Sequence, residues 1–208
     1  MLTTADIARA IERIDGGIPP IRDALNAADR QLGDGDTGMT IAQVVGAWRV
    51  IAGELPKDVG EALLLLGRET GRASGSSLAA VLATGLSAAG RAVRGSDAVS
   101  RPAVATMLGA AAQKITERSG ATPGAKTILD SLLQVQRDMS ADDSQPYTLR
   151  CAVASTAAAL DAFRSRESRL GRARMYGARS VGHDDPGMLA AHRLLDAAQT
   201  SSTPKDPT

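Results

Sequence analysis

The chain has 208 residues, of which 43% are hydrophobic but only 2% aromatic, with 38 alanines and 20 arginines against 4 lysines. Strand barrels and sandwiches draw on aromatic and β-branched residues, so this composition argues against an all-β fold and for close-packed helices, where alanine costs little entropy and lets axes approach. With 24 basic and 23 acidic residues there is no general pull toward nucleic acid or membrane, and any electrostatic function must be local.

In chain order, Ile7, Ile11 and Ile14 follow a Thr-Thr-x-Asp start and predict a first helix, broken by Gly16-Gly17 and Pro19-Pro20. Ile21, Leu25 and Ala28 predict a short second helix ending near Asp29. Apolar periodicity then returns over Met39–Ile51, Val59–Leu66, Leu78–Val93, Val104–Ile115, Ile128–Val135, Leu149–Phe163 and Met188–Ala198. No alternating run bounded by hairpin turns predicts a strand. The expectation is one domain of about eight helices over residues 1–200, with 201–208 a frayed tail lacking apolar anchors. The polar stretch Asp138–Pro146 reads equally as a linker or as a connection between long helices.

The lone Cys151 excludes an intramolecular disulfide framework and a cysteine-rich metal site. It sits on an apolar face and is expected in the core, like Met107 and Met139, with Trp48 packing nearby. The N-terminus mixes charge into its apolar positions and does not read as a signal peptide. The longest apolar run, Leu63–Leu66, is far short of the roughly 20 residues a membrane span needs. A soluble, cytoplasmic protein is expected.

Four connectors are chemically unusual. In the first, LGDGDTG at 32–38, Asp29, Asp34 and Asp36 fall within eight residues while Gly33, Gly35 and Gly38 free the backbone to curl. Carboxylates so crowded repel unless a cation intervenes, and hard oxygen ligands without His or Cys select Mg²⁺ or Ca²⁺. The spacing is not that of an EF-hand. The competing reading is a helix end, an Asp-Gly turn and an Asp or Thr cap. In the second, GRASGSS at 71–77, Ser74 and Gly75 lead into the Leu78 helix and serve either as an N-cap or as an anion cradle. The third, SGATPGAKT at 119–127, approaches a phosphate-loop pattern, but Ala125 stands where Gly is required and helix rather than strand precedes it. Amides opening the helix near Lys126 remain available to an anion.

The fourth, GHDDPG at 182–187, follows six arginines and one glutamate between Arg164 and Arg179. That run reads as a solvated or acid-pairing face; nucleic-acid binding lacks an aromatic platform or a DNA-binding motif to support it. Arg172, flanked by Gly171 and Ala173, is the member least like surface decoration. Neither His183 nor His192 has the spaced partner a zinc site requires.

Taken in order, LNAADRQLGDGDTG, GRASGSSL, ATPGAKTILDSL and GRARMYGARSVGHDDPG resemble the four signature blocks of the nucleotide-binding L subunit of dihydroxyacetone kinases, covering residues 25 to 187. The resemblance implies an all-α, eight-helix up-and-down barrel with the nucleotide site in the loops at one end. It implies that Asp29, Asp34 and Asp36 bind two Mg²⁺ bridging the phosphates of ATP or ADP. Thr37, Gly38, Met39 and Thr40 would meet the phosphate chain from the start of a helix, with Ala73, Ser74 and Gly120 adding contacts. Ile128 would pack on adenine or ribose, and Asp185, Pro186 and Gly187 would line the nucleotide's edge. Arg172 would bind nucleotide and act catalytically by stabilising negative charge.

The resemblance further implies a partner, a K-type subunit that holds the ketose, since nothing in this chain supplies that half. A phosphotransferase-system protein is the alternative phosphoryl donor. Thr37 stands where family members that keep ADP as a fixed cofactor carry His, and leans toward ATP; the separate-subunit length leans the other way. A homodimer is left open, and neither nucleic acid nor membrane is expected. Arg72, Ala125, Arg174 and Met175 depart from the family pattern without removing a metal ligand. The alternative function is a stand-alone nucleotide-binding or regulatory protein.

Overall fold

A computed structural model describes residues 1–141 and 148–200. Among these are nine α-helices: α1 Thr4–Gly16, α2 Ile18–Leu32, α3 Thr37–Ile51, α4 Val59–Ala73, α5 Ser77–Ala92, α6 Arg101–Ser119, α7 Ile128–Ala141, α8 Leu149–Arg164 and α9 Pro186–Gln199. Two 3₁₀ segments, Ala52–Glu54 and Arg172–Ser180, complete the helical part, the second interrupted at Gly177. Successive helices from α2 to α9 lie beside one another, and α9 closes the ring against α1 and α2. The fold class is therefore all-α, as expected. The expected tail at 201–208 and part of the 138–146 stretch lie outside the described residues.

The nine helices correspond one for one to the nine helical segments read in chain order, one more than the round figure of about eight. Three other expectations are corrected. The second helix runs past Asp29 to Leu32, because Leu32 is itself buried and extends the apolar stripe by a turn. The Val59 helix continues to Ala73 through a turn that buries Gly67 and Thr70. A strand pair does exist, β1 Leu2–Thr3 against β2 Ala98–Val99 in antiparallel register, but two residues are too few to show alternation in a sequence.

Local chemistry sets the helix ends. Thr3 and Asp6 form a reciprocal capping box at α1, the Thr3 Oγ1 accepting from the Asp6 amide at 3.3 Å and the Asp6 carboxylate from the Thr3 amide at 2.9 Å. Asp58, Ser76, Thr148 and Asp185 cap α4, α5, α8 and α9 in the simpler manner.

Small residues let the ring close tightly. A Cβ added at Gly60 would lie 2.6 Å from both the Arg94 Cα and the Gly90 carbonyl oxygen, so α4 and α5 meet backbone to backbone. The core fills with Leu25, Ile41, Val44, Val45, Val59 and Leu66, each worth about 1.5–3 kcal/mol when fully buried. Trp48 packs among them and donates its indole N–H to Thr70 Oγ1 at 2.8 Å and the Leu66 carbonyl at 3.3 Å. Met107 and Met139 are buried as expected, whereas Cys151, in the first turn of α8 beside Thr148, is only partly so. None of the described helices is long and apolar enough to cross a membrane.

Candidate functional site

The loop between α2 and α3 is folded back onto α2 by two of that helix's own side chains. Asn26 and Asp29 stand one turn apart and so share a face. The Asn26 Oδ1 accepts from the Gly38 amide at 2.7 Å; one Asp29 carboxylate oxygen accepts from the amides of Asp36 at 2.9 Å and Thr37 at 3.2 Å. Asp29 thus supplies negative charge to the N-terminus of α3, where the helix dipole favours it. Gly35, at φ +80°, makes the turn that brings Asp34 and Asp36 around to it.

The result is one cluster. A carboxylate oxygen from each of Asp29, Asp34 and Asp36 lies within 4.8 Å of the others, Asp29 buried and the other two exposed. The guanidinium of Arg172 pairs with Asp34. A set of three anionic oxygens, with no nitrogen or sulfur donor, fits a hard divalent cation such as Mg²⁺.

The cluster stands at the edge of a cavity of about 570 Å³. Its apolar lining comes from Leu32, Leu78, Val81, Ile115, Ile128, Leu170 and Pro186, and its polar lining includes Thr37, Thr40, Ser76, Ser77, Ser119, Thr127 and Asp185. The lining thus combines apolar side chains with the carboxylates and Arg172, a mixture suited to a ligand that has both an apolar ring and a charged, metal-binding part.

Two opposite charges interact beside the cavity: Asp185, part-buried on its lining, and Lys126, which is buried and does not line it. Asp185 caps α9 by accepting from the Met188 amide at 2.8 Å. Burial pushes its carboxyl up to about 6, aided by Asp130, against the amides of Met188 and Gly187 and the charge of Lys126. Lys126 is 1% exposed. Burial lowers its pKa below the ordinary lysine value, while Asp185 and Asp184 oppose the shift. Its ammonium is spent on main-chain carbonyls, and the nearby amides of Gly124 and Thr127 that the sequence left open to an anion are taken by the Asp130 carboxylate.

Of the expected site residues, Asp29, Asp34, Asp36, Thr37, Thr40, Ile128, Arg172, Asp185, Pro186 and Gly187 line this cavity. Gly38 does not, because its amide is turned to Asn26; Met39 is exposed, at 47%. Ala73 ends α4 and packs on the core, and Ser74 opens instead onto a separate polar groove with Arg91 and Arg118. Gly120 is the left-handed cap of α6 at φ +69°, between Ser119 and Ala121, which do line the cavity. In the serine loop it is Ser76 and Ser77 that face the cavity, Ser76 also capping α5.

Sequence reasoning missed Asn26, Ser76 and the Leu78–Val81 pair. The i, i+3 spacing of Asn26 to Asp29 and of Leu78 to Val81 was a usable signal. The basic run divides into separate contacts. Arg164 pairs with Asp184 and Asp161, Arg166 lies 4.5 Å over the Phe163 ring and Arg179 5.5 Å over Tyr176. His192 Nδ1 meets Thr156 Oγ1 at 3.1 Å, a packing contact between α8 and α9.

Fold and site together define a helical ring domain with a carboxylate and arginine cluster at the edge of one cavity. Residues 31–200 match the DAK2 domain family, and the chain belongs to it. It is 31% identical over 199 residues to human triokinase/FMN cyclase, covering 92% of this chain but 34% of that protein. It is 28% identical to the Escherichia coli PEP-dependent dihydroxyacetone kinase, ADP-binding subunit DhaL, covering 82% of this chain and 84% of that one. To the L-erythrulose 1-kinase of Mycolicibacterium smegmatis it is 30% identical, covering 83% and 31% respectively. The chain thus spans about a third of the human and mycobacterial relatives and most of the bacterial subunit. The fold is shared with the dihydroxyacetone kinase of C. freundii at a TM-score of 0.73 and 22% identity, covering 92% of this chain and 33% of that one. A second structure of that kinase, in complex with AMP-PNP and Mg²⁺, superposes with a TM-score of 0.70.

Proposed function

We propose that this chain is the nucleotide- and Mg²⁺-binding component of a kinase for short-chain ketoses, acting on a sugar held by a separate K-type partner. The observation that carries the proposal is the Asp29–Asp34–Asp36 cluster, with Arg172 paired to Asp34, on a cavity that also has apolar lining. Membership of the DAK2 family and similarity to a dihydroxyacetone kinase subunit and an erythrulose kinase support it.

Asp29, Asp34 and Asp36 would hold two Mg²⁺, which supply charge neutralisation for the phosphates of the bound nucleotide. The chain's own groups do the rest. Ile128 and Leu78 offer apolar surface to the base, and Pro186 and Gly187 bound its edge. Thr37 and Thr40 line the cavity from the first turn of α3, where the amides of Thr37 and Gly38 are already held by Asp29 and Asn26, so their hydroxyls are the groups offered to a phosphate. Arg172 places a planar cation where negative charge accumulates during transfer, which positioning and electrostatics can accelerate without a covalent intermediate on the protein.

The donor is ATP, or bound ADP rephosphorylated by a phosphotransferase-system protein. Nucleotide content decides between them. Protein purified without added nucleotide that retains ADP, unexchanged by excess ATP, identifies the second; empty protein or free exchange identifies the first. Failure to bind any Mg-nucleotide in either form overturns the proposed function.

A further inference from the structure

The floor of the Arg172 segment is held by a group with no role in nucleotide binding. The Lys126 Nζ donates to the carbonyl of Ser180 at 2.8 Å, of Arg166 at 2.9 Å and of Arg164 at 3.4 Å. An ammonium has three protons and no lone pair, so three carbonyl acceptors fit it and a neutral amine would leave one of them facing a lone pair. Those carbonyls lie at the two ends of the segment that carries Arg172: the end of α8 and its exit on one side, the last 3₁₀ residue on the other. Lys126 therefore closes a staple across residues 164–180.

The staple is built with care at the lysine's end. Lys126 is a non-glycine residue at φ +62°, a strained conformation that persists where the surroundings over-determine it. Asp130 provides that constraint, accepting from the amides of Gly124 at 2.6 Å and Thr127 at 2.9 Å on either side. At the other end the Ser180 hydroxyl accepts from the Ser168 amide at 2.8 Å and donates to the Gly177 carbonyl at 2.6 Å. From this braced segment Arg172 reaches Asp34 with an otherwise exposed side chain.

We infer that Lys126 is a positioning residue: it belongs neither to the carboxylate cluster nor to the lining of the cavity, and holds Arg172 over Asp34 by stapling the segment that bears it. Its kinetic consequence rests on the function proposed above; its structural consequence does not.

Two readouts on the full chain test it. Hydrogen exchange of Lys126→Met should show amides in 165–182 exchanging at least about tenfold faster, with α3 to α5 unchanged, since local opening reports the free energy of that unit alone. Lys114→Met, which removes an exposed lysine paired with Glu117, should leave the segment unchanged. With the K-type partner present, Lys126→Met should lower kcat while the Mg-ADP dissociation constant stays within about threefold. Combined with Arg172→Ala it should cost nothing further, because two residues acting as one unit are not additive.

Unchanged exchange in a folded Lys126→Met, or losses that multiply in the double variant, overturns the inference. If Lys126→Met does not fold, Ser180→Ala removes a hydroxyl tie of the same staple and is judged by the same two outcomes. If the wild type transfers no phosphate even with its partner, the proposed function falls while exchange still decides whether Lys126 holds the segment.

Discussion

Arg172 and Asp34 meet across the edge of the cavity, the guanidinium of the 3₁₀ segment against a carboxylate of the α2–α3 loop. Both side chains are exposed, so the pair adds little to stability. Its significance is positional: the cation faces a carboxylate that is also a candidate metal ligand.

Removing that carboxylate's charge should weaken metal-dependent binding. Asp34→Asn is expected to reduce Mg-nucleotide affinity by at least about tenfold, roughly 1.4 kcal/mol, with unchanged helix content. Calorimetric titration with and without EDTA checks this. Equal nucleotide affinity in EDTA and in Mg²⁺ would falsify the metal assignment.

The arginine should matter for rate more than for binding. Arg172→Ala is expected to lower kcat of the reconstituted enzyme by about 10²–10³. Arg172→Lys should recover part of that, because a point charge does not reproduce the planar fork. Arg166→Ala, whose side chain stacks on Phe163, is the bland comparison. Arg164 is unsuitable for that purpose, since its side chain pairs with both Asp161 and Asp184. Similar small losses at 166 and 172 would remove Arg172 from the mechanism.

The chain on its own should not phosphorylate dihydroxyacetone or erythrulose, and addition of a K-type partner should restore transfer. Sugar phosphate formed by the purified chain alone, with contaminating kinases excluded, contradicts the division of labour.

Asp185 makes stability depend on pH in a stated direction. Its folded-state pKa of about 6 lies above the ordinary 3.8, so the folded chain binds the proton more tightly. That contribution is fully present below about pH 4 and is lost as pH rises through 6, by up to about 3 kcal/mol. Asp185→Asn keeps an acceptor for the Met188 amide but has no charge to bury. Without metal or nucleotide its melting temperature should match wild type near pH 4 and exceed it at pH 7.5. A constant difference across that range would show that Asp185 ionisation is not the cause.

Gly38 ties site to scaffold. A methyl group there would press on the Arg22 carbonyl and come within 2.6 Å of Asn26 Oδ1, forcing α2 and α3 apart. Gly38→Ala should cost about 1–3 kcal/mol, read as a lower denaturant midpoint, and weaken Mg-nucleotide binding by disturbing the Asp29 to Asp36 loop. Retention of both properties would mean the helices yield at no cost.

Helical class, the order of the helices, the carboxylate cluster and the choice of Arg172 were all legible in the residues, because each is written locally. Periodicity needs only near neighbours, three acids within eight positions crowd wherever the loop goes, and the small neighbours Gly171 and Ala173 mark Arg172 apart. What needed tertiary structure was anything set by contacts between distant segments. Asn26 and Asp29 reveal their part only when the loop doubles back onto their helix. Ser76, not Ser74, faces the cavity because the end of α4 turns Ser74 toward another groove. Nothing local tells where the Lys126 charge goes; the fold buries it against three distant carbonyls, since an ammonium out of water goes where acceptors already stand.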